Sequence, residues 1–372
     1  MIKILVFLAS KVVVFISVLL FSIFDFVKQY VMIEQAIAFA SMCIPIFIFG
    51  ATTSYSHYKI AARLADIERI YWCQFLWIFG ILLIVFYCGY LFSADIFLST
   101  MLMLFFIFSR FYSQTYKVDG RVIGASIIDS LPYLLLIMIL GGLLLGVSLE
   151  LAAFFAVSVS APFMLWTGGR LLRISKFSGK LLQSVKSFYA FGLSAFLVSS
   201  VVMFCFMAPR AFAQLLVPEA NLENYFLTLR FGLIVVLVYQ FASIKWFSRI
   251  YKMELEEIGL WAVLILAVGI SVTYFSIILT YQLGFIASSE YALFTSMYTG
   301  LWVLSSFFEY YVNRESGSRL FVFSALVVTA IVGVPYFIYD AGLGLELFAG
   351  YLGLIVLCQA GCLFFKRTRK SL

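Results

Sequence analysis

Two arginines stand where a membrane-crossing chain has little reason to keep them. Arg210 follows an apolar run at 188–208, and Arg230 lies inside the next run, past Leu222. At 1.5 Å of rise per residue, Arg230 sits roughly 9–12 Å below the rim of its span. A guanidinium at that depth costs several kcal/mol unless it faces an anion or water. Its planar fork suits two-point contact with phosphate. The pair therefore points to a passage for an anion. Lys11 in the first apolar run and Gln35 in the second join them as candidate substrate contacts. Asp129 and Glu34 are carboxylates able to couple such a passage to an ion gradient.

Each of these residues also has a plainer reading. Lys11 lies near one end of its run, where a lysine can snorkel to the headgroups. At 100° per residue it projects within about 60° of Ser22 and Asp25, which would line one face of the first helix. Glu34 and Gln35 fall near the outer end of the second run, within reach of headgroup water. Asp129, beside Ser126, Ser130 and Pro132, reads either as an ion-coupling group or as a hydrogen-bond partner for a serine or tyrosine of another helix. Arg210, at a span end, can sit among lipid phosphates. Arg110 and Glu309 read as snorkelling or stabilising groups, with Arg314 within reach of Glu309. His57, the sole histidine, reads as a solvated loop residue next to Lys59.

Other chemistry has no foothold. There is no GxxxxGK[ST] phosphate loop and no HExxH metal pair. The six cysteines are scattered through apolar runs without a paired framework and read as small apolar residues. No metal and no cofactor is expected.

The elements that must position these groups are membrane helices. Of 372 residues 64% are hydrophobic and only 12% charged, with a mean hydropathy of +1.09. A soluble domain is nearer half apolar and a quarter charged. The fold class is an all-α membrane protein. Apolar runs of about 20 residues, the length that crosses a bilayer, fall near 4–24, 31–50, 71–92, 96–114, 122–145, 150–168, 187–208, 222–243, 258–281, 291–310, 320–339 and 346–365. The first run is long, has only Lys3 before it and lacks a small-residue cleavage site before Asp25, so it reads as a span rather than a cleaved leader. All 25 lysines and arginines except Lys28, Arg210 and Arg230 fall on the side of the N-terminus, the even-numbered connections and the C-terminus. That asymmetry places both termini in the cytoplasm. It also explains the net charge of +7 without nucleic acid.

The most basic connection, 168–186, separates six spans from six. The expected division is an N-terminal lobe at 1–173, a basic linker at 174–186 and a C-terminal lobe at 187–372. An even number of spans per half makes any internal repeat parallel. Tyr30 opens the second span as Tyr225 opens the eighth, with Gln35 in the place of Arg230. Pro45, Pro132, Pro162 and Pro335 interrupt spans. Gly142–Gly146 forms a GxxxG able to seat a helix crossing. The 42 Phe and 22 Tyr are expected at lipid-facing and interfacial positions.

A cation just after span seven (Arg210), a short amphipathic connection at 211–217, and Tyr225 followed five residues on by Arg230 resemble the polysaccharide flippases. These are the O-antigen exporters of the multidrug/oligosaccharidyl-lipid/polysaccharide superfamily. Pro209 stands where such proteins often carry an acidic residue. The likeness is one of pattern and topology over most of the chain, which is shorter than most of the family. It implies about twelve transmembrane helices in two six-helix lobes around a central cavity. It further implies a non-enzymatic protein of the bacterial inner membrane that flips an undecaprenyl-diphosphate-linked oligosaccharide by alternating access. The implied partners are that lipid-linked oligosaccharide, membrane lipids and polysaccharide polymerase machinery. Two alternatives stay open: an exporter of drugs or cations, whose cavity should be dominated by carboxylates, and a membrane glycan polymerase or acyltransferase, which should show a polar catalytic cluster and a large outer loop.

Overall fold

Hydrocarbon offers no partner for a bare N–H or C=O, so each apolar run closes its own hydrogen bonds as a helix. The computed structural model describes residues 2–59, 66–92, 94–175, 181–245, 255–314, 318–333 and 344–370. In chain order the helices are α1 (Ile2–Ile23), α2 (Val27–Ile48), α3 (Ala51–His57), α4 (Ile67–Phe92), α5 (Ala94–Val118), α6 (Val122–Leu144) and α7 (Leu149–Ile174). They continue with α8 (Leu181–Ala211), α9 (Ala213–Leu216), α10 (Leu222–Lys245), α11 (Leu255–Gln282), α12 (Ala292–Arg314), α13 (Ser318–Val328, extended by a π turn at Thr329–Gly333) and α14 (Gly344–Lys370). No strand occurs among the described residues.

The twelve expected spans coincide with α1, α2, α4–α8 and α10–α14. Among the described residues nine of these, α1, α2, α4–α8, α10 and α11, are long and apolar enough to cross a membrane. This is a multi-pass membrane protein. In α12 the apolar character is diluted by Thr295, Ser296, Thr299 and Ser305, all fully buried. The connection at 168–186 is shorter than the sequence suggests. The helix α7 runs on through Gly168 to Ile174, and α8 starts at Leu181. Lys176, Lys180 and Pro335 lie outside the described residues.

Packing divides the chain into an N-terminal unit, Met1–Phe196, and a C-terminal unit, Leu197–Leu372, with the division inside α8. In the N-terminal unit α5 is the hub. It packs against α2, α4, α6 and α7, while α1 lies on α6 and α2. Aromatic rings fill the seam between α4 and α5. Tyr71 stacks on Tyr55 at 4.2 Å, lies 4.6 Å from Phe111 and donates its hydroxyl to the Phe111 carbonyl at 2.9 Å. Many aromatics therefore occupy the interior rather than the lipid face. The largest fully buried side chains are tyrosines and phenylalanines, because broad flat rings supply the van der Waals contact that apolar burial cannot supply between helices in lipid.

In the C-terminal unit small residues let helices approach closely. A methyl at Gly232 on α10 would meet Thr295 at 2.6 Å and Thr299 at 3.0 Å, and one at Gly269 on α11 would lie 3.2 Å from the Gly300 Cα. The GxxxG at Gly142–Gly146 works differently: Gly146, at φ +81°, ends α6, with the Val147 N–H donated to the Gly142 carbonyl. Beyond α11, Asn224 accepts from the Ala287 and Ser288 N–H groups and donates to Ser288, which pins that connection to the start of α10.

Candidate functional site

The site is assembled on α5. Every residue from Phe97 to Ser113 except Arg110 is buried, a larger buried share than in any other membrane-length apolar helix among the described residues. Ringed by α2, α4, α6 and α7, α5 has no broad face left for lipid. Arg110, Ser113, Gln114 and Lys117 follow one another at i, i+3, i+4 and i+7, so they form a single polar stripe on this helix. Arg110 is exposed although Ser109 and Phe111 beside it are buried. A guanidinium held against acyl chains would be costly there.

Lys117 Nζ lies 2.9 Å from Asp129 Oδ2 on α6 and donates to Ser113 Oγ at 3.3 Å. Ser113 lies beside the Asp129 carboxylate, and Arg110 and Lys11 act on it electrostatically. Lys11, half-buried on α1 with its Nζ 5.4 Å from the Phe7 ring centroid, responds in turn to Asp129, Lys117 and Arg110. Three basic side chains from two helices thus act on one carboxylate, a formal excess of two positive charges. Gln114 ties the stripe to α3 by donating to Ser56 Oγ. Such a cluster can hold a doubly charged anion. Among the described residues no group of three His, Cys, Asp or Glu is placed to hold a metal.

Two of the six candidates, Lys11 and Asp129, are therefore neighbours. The partner that Asp129 finds on another helix is Lys117 of α5, with Ser113 beside it. Arg110 and Lys117 were not singled out as a site by sequence reasoning. Their signal was the i, i+3, i+4, i+7 stripe, hidden because each basic residue taken alone fits the end of a span. Asp25 does not share the Lys11 face: α1 stops at Ile23, and Asp25 turns away at φ +63°.

Glu34 and Gln35 sit on α2 of the same unit. Glu34 is fully buried, beyond the reach of headgroup water, and Gln35 is half-buried. Arg210 on α8 and Arg230 on α10 belong to the C-terminal unit, each only 3% exposed. The backbone beside Arg210 is held by two tyrosines: Tyr225 donates to the Pro209 carbonyl at 3.1 Å and Tyr298 to that of Phe206. Proline removes an N–H from the helix at this point, and side-chain donors engage the carbonyls around the break. Glu309 accepts from Ser199 at 2.7 Å. His57 is half-buried and stacked on Phe191, with ring centroids 4.1 Å apart, rather than solvated.

Neither a protein-family model nor a curated protein matches the chain. Among solved structures, the crystal structure of the eukaryotic MATE transporter AtDTX14 aligns over 98% of this chain and 93% of that one, with 11% identity and a TM-score of 0.49. The likeness assigns no family. The functional reading rests on the residues themselves.

Proposed function

We propose that this protein moves a lipid-linked anion across the membrane by alternating access, the headgroup being a diphosphate. The observation that carries the reading is the excess of two positive charges around Asp129 on α1, α5 and α6. A diphosphate diester carries two negative charges, so the cluster would neutralise it, with Arg110 supplying a fork that matches phosphate oxygens. The sequence resemblance makes the substrate an undecaprenyl-diphosphate-linked oligosaccharide repeat unit, destined for O-antigen or surface polysaccharide and handed on to polymerase machinery. It sets the protein in a bacterial inner membrane as a non-enzymatic flippase. Arg210, Arg230 and Gln35 are assigned to the same headgroup at a later stage of the cycle. Asp129, with Glu34, is assigned to ion coupling. The alternative reading is an exporter of drugs or cations.

The test is reconstitution. Liposomes containing the purified protein and a fluorescent polyprenyl-diphosphate oligosaccharide should show leaflet exchange by dithionite quenching, above protein-free liposomes. Losing one charge-assisted contact of about 1.5–3 kcal/mol should slow Arg110→Ala by roughly 10- to 150-fold. Exchange no faster than in empty liposomes would overturn the reading.

A further inference from the structure

Near its C-terminal end α7 turns two arginines away from the protein. Arg170 and Arg173 are both exposed. Neither forms an ion pair among the described residues, whereas Lys59 and Lys117 are paired with Glu68 and Asp129. The Arg170 guanidinium carbon lies 5.7 Å from the centroid of the Trp166 ring, which is itself exposed. One face of the guanidinium rests on the indole, and its N–H edge is left for an anion. Between Trp166 and Arg173 the backbone is bare. Gly168 seats α7 on α4, since a methyl there would meet Phe75 at 2.7 Å and Leu76 at 3.1 Å, but one at Gly169 would meet nothing within 4 Å. Towards the middle of the helix the stripe turns apolar. Val159, Phe163 and Trp166 recur at i, i+4 and i+7, and all are more than half exposed.

We propose that this stripe binds one anionic phospholipid of the surrounding leaflet, its phosphate between Arg170 and Arg173 and an acyl chain along Trp166, Phe163 and Val159. Charge is the first reason. Residues three apart on a helix are neighbours, so the two guanidiniums converge on a single phosphate. The only acidic residue of α7 is Glu150, at its far end, so the helix supplies no carboxylate to neutralise them. Length is the second. From Arg170 back to Val159 the stripe rises about 16 Å, close to one leaflet, which is half of the roughly 30 Å hydrocarbon core. A phospholipid has the same order of parts, an anion at the interface and hydrocarbon beneath, whereas a soluble anion has nothing to lay on Phe163 and Val159. Shape is the third. Gly169 leaves room beside the arginines for the glycerol, and the indole holds Arg170 in place beforehand, which lowers the entropy lost on binding. A zwitterionic headgroup would bring an ammonium against two guanidiniums and should bind more weakly. The positive-inside rule predicts this leaflet to be the cytoplasmic one.

The test is lipid retention by the full-length protein, read by native mass spectrometry from micelles in which phosphatidylglycerol and phosphatidylethanolamine compete. Wild type should prefer phosphatidylglycerol. Arg170→Gln/Arg173→Gln should retain it about 10- to 30-fold less, the loss expected of two charges close to a headgroup. Trp166→Leu keeps an apolar contact but frees Arg170, and should lose about two- to fivefold. Lys28→Gln removes an exposed cation from α2 and should change nothing. Equal losses in Lys28→Gln and in the arginine variant would reduce the effect to net charge and overturn the site. Undiminished retention by the arginine variant would do the same, as would equal retention of the two phospholipids by wild type. Thermal unfolding in detergent identifies the source of the phosphate: phosphatidylglycerol should raise the wild-type unfolding temperature, and stabilisation by inorganic phosphate to the same extent would sink the proposal. Both arginines are exposed, so without added lipid the variant should unfold at the wild-type temperature, which is the folding control. No readout involves transport, so the site is decided apart from the functional reading.

Discussion

Lys117 and Asp129 stand on successive helices, and their 2.9 Å contact, with side chains 33% and 22% exposed, is neither a free surface pair nor a dry one. A carboxylate there keeps Lys117 directed inward and lowers the repulsion among the three cations, so the empty site does not push its helices apart. Truncating one partner leaves the other partly desolvated and opposed. In a double-mutant cycle of Lys117→Met and Asp129→Asn, read by thermal unfolding in detergent, the coupling should be about 0.5–3 kcal/mol. Additive effects would mean that the pair contributes nothing to the fold. Arg110 makes no such ion pair among the described residues. Its substitution should therefore leave the unfolding temperature unchanged while slowing transport, which separates binding from folding at one residue.

At the scale of elements, the elbow between α2 and α3, at Phe49 and Gly50, shows how little space its backbone contact with α8 tolerates. Gly50→Ala meets the Gly192 carbonyl at 2.1 Å and strains a left-handed residue, whereas Gly192→Ala meets Ser54 Oγ at 2.9 Å and the Phe49 carbonyl at 3.1 Å. Overpacking of this kind costs about 1–3 kcal/mol. Gly50→Ala should be the more destabilising of the two, because its clash is with backbone and its φ cannot relax. Comparable unfolding temperatures for the two variants would show that the elbow yields. A different logic holds α5 in place. Aromatic side chains interlock along its α4 side, which leaves the polar stripe of Arg110, Ser113, Gln114 and Lys117 to the face turned towards α3 and α6.

For the whole molecule, the distribution of basic residues predicts an orientation. All lysines and arginines but Lys28, Arg210 and Arg230 fall on the side expected for the N-terminus, the even-numbered connections and the C-terminus, and the positive-inside rule predicts that side to be cytoplasmic. A green fluorescent protein fused to the C-terminus should fluoresce in a bacterial host, and an alkaline phosphatase at the same position should be inactive. The opposite pair of results would invert that orientation.

Sequence alone determined that the chain crosses the membrane many times, roughly where each helix runs, and that Lys11, Asp129, Arg210 and Arg230 are out of place in hydrocarbon. Those conclusions need only hydropathy, length and the expense of charge in lipid, which are local properties. Which charges meet is not local. Lys11 is distant in sequence from Lys117 and Asp129, and the three come together because α1 and α5 both pack on α6, while Asp25 drops out because α1 ends two residues before it. Equally, nothing in the residues around 50 and 192 announces that their backbones touch. Contacts of that kind are set by how helices cross, and only the tertiary structure decides it.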